Sequence, residues 1–332
     1  MAPQNLTLIS HFRNEEYLLS FWVPHHAKIF KNAVLIDYGS EDLSREVIRE
    51  LAPHWKVVNT KNTDFNSDDI DREVMEIESE IEGWKICLNT TEFLVGDPQG
   101  EIEKLEDHVE GIRLNGRTLV DREPTAELPL GSSLVSRKPW GLDEFQYLAH
   151  RLEGTMKGID PQLLLALDPI CRGRLLHRSS SAGYAPGRHG WDLAAVEFSR
   201  DLEVWWCGLS PWTSEGKRRK IAMGAAVPKE DLIRGRGTYH LLGLKELEAA
   251  REVLAPLALA NRYSIGECRN ALEKFTKRSS LFSPKKFLNF ILSVIVRVKK
   301  KIESSLSHQP NHVNSTAGQM TSEQESSQGP IR

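Results

Sequence analysis

Ala33-Val34-Leu35-Ile36-Asp37-Tyr38-Gly39-Ser40 is the stretch on which the fold of this chain turns. Four apolar residues, too few for a helix, end at a carboxylate and a glycine, as a short buried strand does when it runs into a loop. Upstream, Leu6-Thr7-Leu8-Ile9-Ser10 is another β-prone run, and between the two Leu18, Leu19, Trp22, Val23, His26 and Ile29 recur at helical spacing. Pro24 inside that pattern predicts a kink or a split in the helix. Downstream, Leu43, Val47, Ile48 and Leu51 mark one helical face with Ser40 placed as its N-cap, and Trp55-Lys56-Val57-Val58 reads as a third strand. Ile70, Val74, Ile77 and Ile81 space a third helix, opened by Asp68, Asp69 and Asp71, which suit its positive N-terminus, and stopped by Gly83. Trp84-Lys85-Ile86-Cys87-Leu88 is the fourth strand. Short continuous strands alternating with amphipathic helices predict an α/β fold, a mostly parallel sheet with helices on both faces.

Composition narrows the class without naming a chemistry. The 332 residues hold 43 Lys+Arg against 46 Asp+Glu, a net charge of −3, and a pI near 6.4 argues against nucleic acid as a partner. Four cysteines (Cys87, Cys171, Cys207, Cys268) stand far apart with no CxxC pair, so neither a zinc ribbon nor a disulfide framework is expected. Met1-Ala2-Pro3-Gln4-Asn5 lacks the basic and apolar regions of a signal peptide, and the expected location is the cytoplasm. Ile112 to Val120 reads as a β-hairpin turning at Asn115-Gly116. The expected organisation is a domain over 1–245 with halves at 1–96 and 97–245, a helical extension over 246–302, and a Ser-, Gln- and Asn-rich tail over 303–332 that should be disordered.

In an open α/β sheet, ligands sit beyond the carboxyl ends of the strands. Those ends are Arg13-Asn14-Glu15, Asp37-Tyr38-Gly39-Ser40, Lys61-Asn62-Thr63-Asp64 and Asn89-Thr90-Thr91-Glu92. Singly, each could be an ordinary polar loop; four on one rim point to a ligand site. No GxGxxG follows the first strand and no GxxxxGK[ST] occurs, which removes a dinucleotide and a P-loop triphosphate and disfavours a methyltransferase. Carboxylates at strand ends can accept hydrogen bonds from ribose and a base edge, and can hold a hard divalent cation on a diphosphate. That chemistry suits a nucleotide-sugar.

Arg13-Asn14-Glu15-Glu16-Tyr17-Leu18, then Trp22, His25-His26 and the run from Val34 to Ser44, resemble the opening of GT-A glycosyltransferases. The pattern is most similar to the family-2-like branch, which runs N-E-x-x-x-L, then W and H-H, then D-x-x-S-x-D-x-S. Trp84 to Leu94 falls where such enzymes carry W-x-x-x-x-D-x-D-E-F-L. The likeness covers about the first 95 residues, with weaker echoes at Pro186-Gly187-Arg188-His189, Ser210-Pro211-Trp212 and Gly237-Thr238-Tyr239-His240. It implies a GT-A-like fold and transfer of a sugar from a nucleotide-sugar donor to a hydroxyl of a glycan, glycolipid or surface polysaccharide. It also places Asn14 and Glu15 near the nucleobase, Asp37 near the base or ribose, and Asp64 and Arg72 along the nucleotide cleft. The implied cofactor is Mn²⁺ or Mg²⁺, but Asn89 and Thr91 stand where the family has its two metal-side aspartates, leaving Glu92 as the nearest ionised carboxylate. Neither Asn nor Thr brings charge to a hard cation. Three outcomes are open: a weak metal leaning on the diphosphate, cationic side chains in its place, or a catalytically silent protein.

The second half offers the complementary parts. Arg172, Arg174, His177 and Arg178 precede a Ser- and Gly-rich segment that ends at Arg188 and His189, and Arg can fork onto phosphate. This segment reads as a loop closing over a diphosphate, or as plain solvated surface. His177 and His189 are candidate metal ligands on the family pattern, and Lys217-Arg218-Arg219-Lys220 reads as a solvated helix face. Asp143 or Glu144 is the candidate base for the acceptor proton. Trp205, Trp206 and Trp212 read as core rather than as a sugar platform. Near the end, Lys274 to Lys301 carries nine Lys/Arg and no Asp or Glu around the apolar run Phe287–Val298. That run is about 18 Å long as a helix, too short to span a bilayer of ~30 Å, and either lies on an anionic membrane surface or packs on the domain. Against the enzyme stands a different class, a non-catalytic nucleotide-sugar or glycan-binding module, which the loss of both aspartates would suit.

Overall fold

The computed structural model describes residues 5–63, 66–123 and 127–260. The first part runs β1 (Leu6–Phe12), α1 (Glu16–His26), β2 (Asn32–Asp37), α2 (Ser44–Leu51), β3 (Lys56–Asn59), α3 (Ser67–Ser79) and β4 (Trp84–Cys87). It continues with β5 (Glu92–Val95), α4 (Pro98–Ile102), β6 (Gly111–Val120), α5 (Leu134–Arg137), β7 (Gly141–Asp143), α6 (Glu144–Glu153) and α7 (Pro161–Ala166). The remainder is β8 (Arg174–His177), β9 (Val196–Leu209), α8 (Ser214–Ala225), α9 (Lys229–Ile233) and α10 (Leu244–Leu254), with short 3-10 turns at Pro169–Arg172 and Thr238–Leu241. Among the described residues the strands form one sheet in the order β3-β2-β1-β4-β8-β6-β9-β5, with β7 attached to β6.

The α/β class holds, and the parallel part is the quartet β3-β2-β1-β4, in register from Thr7 opposite Asn32 and Leu6 opposite Trp84. Alternation along those strands sorts their side chains to two faces. Leu8, Leu35 and Ile86 pack with Leu18, Leu19, Phe21 and Trp22 of α1 and Ile48 of α2. Ile9, Ile36 and Cys87 face the other way, against Ile70 and Val74 of α3. Both faces of the quartet are thus covered, as its continuous apolar strands require.

Beyond β4 the sheet is mixed. β8 joins antiparallel to β4 and to β6, while β9 runs parallel to β6 and antiparallel to β5. Here the structure corrects the sequence reading: Gly111–Val120 is one continuous strand and not a hairpin. One edge of β6 is shared by β8, opposite Gly111 to Leu114, and β7, opposite Arg117 to Leu119. Asn115-Gly116 does not turn because Gly116 serves a close approach: a Cβ there would lie 2.0 Å from the Pro169 carbonyl oxygen. Asn115 spends its side-chain amide on the Ser199 carbonyl, 3.0 Å away.

Two further local readings change. Pro24 neither splits nor ends α1, which carries it near its C-terminus and stops at His26. Ser40 does not cap α2; Leu43 occupies that position, and Ser40 Oγ instead accepts from the Asn14 backbone N–H at 3.0 Å. α10 crosses residue 245, packing Leu247, Ala250 and Leu254 with Val120, Leu142, Tyr147, Trp206, Leu209 and Trp212 in a second core. Trp205, Trp206 and Trp212 are all buried. The basic, apolar stretch 274–301 and the tail 303–332 lie outside the described residues. Among the described residues no helix is long and apolar enough to cross a membrane.

Candidate functional site

A cavity of about 450 Å³ opens beyond the carboxyl ends of β1 and β4, touched there by His11 and Asn89. The N-terminal half of α3 supplies Ile70 and Asp71, and the second half of the chain supplies Arg172, the turn Pro186–His189, Asp231, Arg236, Tyr239 and His240. Two of the three weaker sequence echoes, Pro186–His189 and Gly237–His240, therefore meet at one hole. The third does not reach it. Ser210 Oγ and the Trp212 N–H donate to Asp121 at 2.6 and 2.8 Å, and Asp121 is ion-paired to buried Lys138 at 2.9 Å, so that segment is a structural corner.

A chain of charged bonds fixes the floor of the cavity. Glu92 on β5 accepts a two-pronged bond from Arg174 on β8, Nε at 2.8 Å and Nη2 at 2.6 Å, with both residues buried. Arg174 Nη1 reaches the Gly187 carbonyl at 2.7 Å, and the Gly187 N–H returns to Asp71 Oδ2 at 2.7 Å. Arg188 pairs with the other Asp71 oxygen and donates from Nη2 to Asn89 Oδ1 at 2.6 Å and to His11 Nδ1 at 3.4 Å. Arg188 has φ +59°, a conformation L-residues avoid unless their surroundings hold them, and this lattice of bonds does so. Its Nε is buried with no partner among the described residues.

The far wall is cationic. Arg172 lies 3.7 Å over the Trp206 ring and donates from Nε to the Ala166 carbonyl at 3.0 Å; no carboxylate among the described residues pairs with it. Lys220, behind it, lies 5.1 Å from the same ring and donates to the Gly208 carbonyl. Burial, then Arg219 and Arg172, push the Lys220 ammonium down to about 7. His240 falls to about 3 through burial and the charges of Lys220, Arg172 and Arg219. Burial, reinforced by Arg174, Arg172 and Arg188, holds His189 well below the usual histidine range, and burial with Arg188 and Arg174 does the same to His11. For all three imidazoles burial is the larger cause, and the neighbouring cations add to it.

Of the residues singled out from sequence, Asn89, Arg172, Arg188 and His189 line the cavity. Asn14, Glu15 and Asp37 sit in a neighbouring web on the strand-end rim. Asn14 Oδ1 accepts from the Glu41 N–H at 2.8 Å, Glu15 is gripped by Arg219, and Asp37 pairs with Arg45 at 2.6 Å. Arg72 is exposed and pairs with Asp69 at 2.7 Å, and Asp64 lies outside the described residues. Thr91 offers its carbonyl to the Cys207 N–H at 2.8 Å. His177 is fully buried beside Glu78 at 3.3 Å and Tyr184 at 3.2 Å, away from the cavity lining. Neither Asp143 nor Glu144 lines the cavity: Asp143 caps α6 in a capping box with Gln146, and Glu144 accepts from Arg113 at 2.9 Å and from the Gly116 N–H at 3.1 Å.

Sequence reasoning missed Asp71 as the anchor of Arg188, took Lys220 as part of a solvated helix face, and reached His240 only through the Gly237–His240 echo. Lys217–Lys220 divides: Lys217 and Arg218 pair outward with Glu248 and Glu215, while Arg219 and Lys220 turn inward. Helical spacing could not separate them, because tertiary partners decide which face is inside: Glu15, 204 positions away, holds Arg219, and the Gly208 carbonyl holds Lys220.

The residues at the implied metal position do not fit a divalent cation. Both Glu92 oxygens are committed to Arg174, the Asn89 oxygen faces a guanidinium, and His177 points elsewhere. Among the described residues no group of three or more His, Cys, Asp or Glu is placed to hold a metal ion.

No family model matches the chain, and no curated protein matches it. Among solved structures, glucosyl-3-phosphoglycerate synthase from Mycobacterium tuberculosis, crystallised with Mn²⁺, UDP and glucosyl-3-phosphoglycerate, is 12% identical over 59% of this chain and 70% of that one, at a TM-score of 0.31. S. aureus TarS 1-349 is 10% identical over 67% and 65% of the two chains, also at 0.31. A mycobacterial protein is 13% identical over 69% and 77%, at 0.32. A likeness of this size assigns no role to any residue.

Proposed function

We propose that this protein is a glycosyltransferase that moves a sugar from a nucleotide-sugar donor to an acceptor hydroxyl, with a glycan or glycolipid as the acceptor. The observation that carries this reading is the placing of the cavity. It lies where an open α/β sheet binds its ligand, has a volume within the roughly 300–1,000 Å³ of small-molecule sites, and turns a cationic wall toward its contents. A nucleotide-sugar carries two negative phosphates, and its departure as a nucleoside diphosphate concentrates negative charge on the leaving oxygen. Fixed cations aimed at that oxygen lower the barrier more than they tighten the ground state. The order of motifs along the first 95 residues supports the same reading.

One observation favours a second reading, binding without turnover. The carboxylates on the wall are Asp71 and Asp231, and both are engaged: Asp71 by Gly187 and Arg188, Asp231 by the Ser67 N–H at 3.0 Å and Oγ at 2.9 Å. Neither is free to take the acceptor proton in this arrangement. Calorimetric titration with UDP-, GDP- and CDP-sugars, followed by an assay for released nucleoside diphosphate, separates the accounts. Binding with release supports transfer, binding without release supports the module, and no binding of any donor removes both.

A further inference from the structure

We propose that the cavity binds the diphosphate of its ligand through a cradle of Arg172 and Arg188, backed by Lys220, and does so without a divalent cation. The inference rests on the nucleotide-sugar reading and concerns how that ligand is held. Three arginines, Arg172, Arg188 and Arg236, line the cavity against two aspartates, Asp71 and Asp231. Arg236 is spoken for by Asp68 at 2.6 Å, with Asp231 at 3.8 Å. Arg172 has no carboxylate partner among the described residues and lies over Trp206, whose π-face stabilises a guanidinium without neutralising it. Arg188 lines the same cavity and is fixed there by Asp71 and by the Asn89 oxygen at 2.6 Å.

The position that should hold the metal is built for the opposite charge. Arg188 occupies the Asn89 oxygen, at one of the two implied aspartate positions, and Arg174 occupies both oxygens of Glu92, the nearest carboxylate. Guanidinium forks suit the non-bridging oxygens of a diphosphate, and their charge offsets what Mg²⁺ or Mn²⁺ offsets elsewhere.

Titrating the full chain with inorganic pyrophosphate in EDTA, then in Mn²⁺, tests this directly. Pyrophosphate is expected to bind in EDTA, with affinity changed less than about threefold by the metal. Arg172→Met should weaken it at least tenfold and Arg172→Lys less. Lys220→Met is the second variant, expected to lose about three- to tenfold, and it decides the matter if Arg172→Met does not fold. Binding that appears only with Mn²⁺, binding unchanged in both variants, or no binding in either buffer overturns the cradle. Nucleotide-sugars that bind only with metal would leave the donor reading standing and remove the cradle. Pyrophosphate that binds in EDTA while every nucleotide-sugar fails would do the reverse.

Discussion

Lys220 is the residue on which pH should act. It faces Arg219, Arg172, Cys207 and His240, and with a folded value of about 7 against an ordinary 10.5 it is charged below neutrality and neutral above. Two consequences have opposite signs. Anion affinity should fall as pH rises from about 6 to about 8.5, because the bound anion favours the protonated amine; pyrophosphate titrations across that range check it, and Lys220→Arg should flatten the profile. Stability should instead rise between about pH 7 and 10.5, since there the unfolded chain takes up a proton that the folded one refuses. Glu92 makes the companion case. Replacing it by Gln leaves Arg174 charged and buried without its partner, and should cost about 3–5 kcal/mol in urea denaturation. A residue chosen as a metal ligand from its place in a motif thus acts as the counter-ion of an arginine 82 positions away.

At the scale of elements, Gly116 shows what a sequence displays and what it hides. Gly116→Ala would drive a methyl group into the Pro169 carbonyl, forcing β6 and the turn at Pro169–Arg172 apart. It should destabilise the fold by about 1–3 kcal/mol or more, read from the thermal midpoint, and shift Arg172 with it. The four parallel strands and three helices of the first part were legible because each strand is a short apolar run and each helix has its own apolar stripe. Asn115-Gly116 was misread because a turn and a close backbone approach ask for the same residue. Asp143 carries two readings in the same way: a carboxylate preceding a helix serves as a cap as readily as a base, and Gln146 three positions on is the signal for the cap seen in the structure. The rim loops were found, but Asn14, Glu15 and Asp37 are bonded to Glu41, Arg219 and Arg45, partners that only the folded arrangement reveals.

At the scale of the whole molecule, the cavity is closed by a clasp between distant parts of the chain. Ser67 and Asp68 at the start of α3 bind Asp231, Arg234 and Arg236. These groups are partly exposed, so each ion pair adds about 1 kcal/mol or less to stability. Their effect should appear in binding: Asp68→Ala should leave the melting midpoint nearly unchanged and speed ligand dissociation several-fold, measured by stopped-flow displacement.

The seam between the parallel quartet and the mixed strands carries a consequence for synthesis. When Cys87 leaves the ribosome, β4 has β1 on one side, and its other side waits for β8 at Arg174–His177. At roughly 5–20 residues per second that wait lasts on the order of 5–20 s. For that interval the nascent protein shows a fully buried-type strand, Trp84 to Cys87, as an open edge. Such an edge can pair with any other extended chain, so a ribosome pausing between β4 and β8 would leave the half-made protein to chaperones or to aggregation.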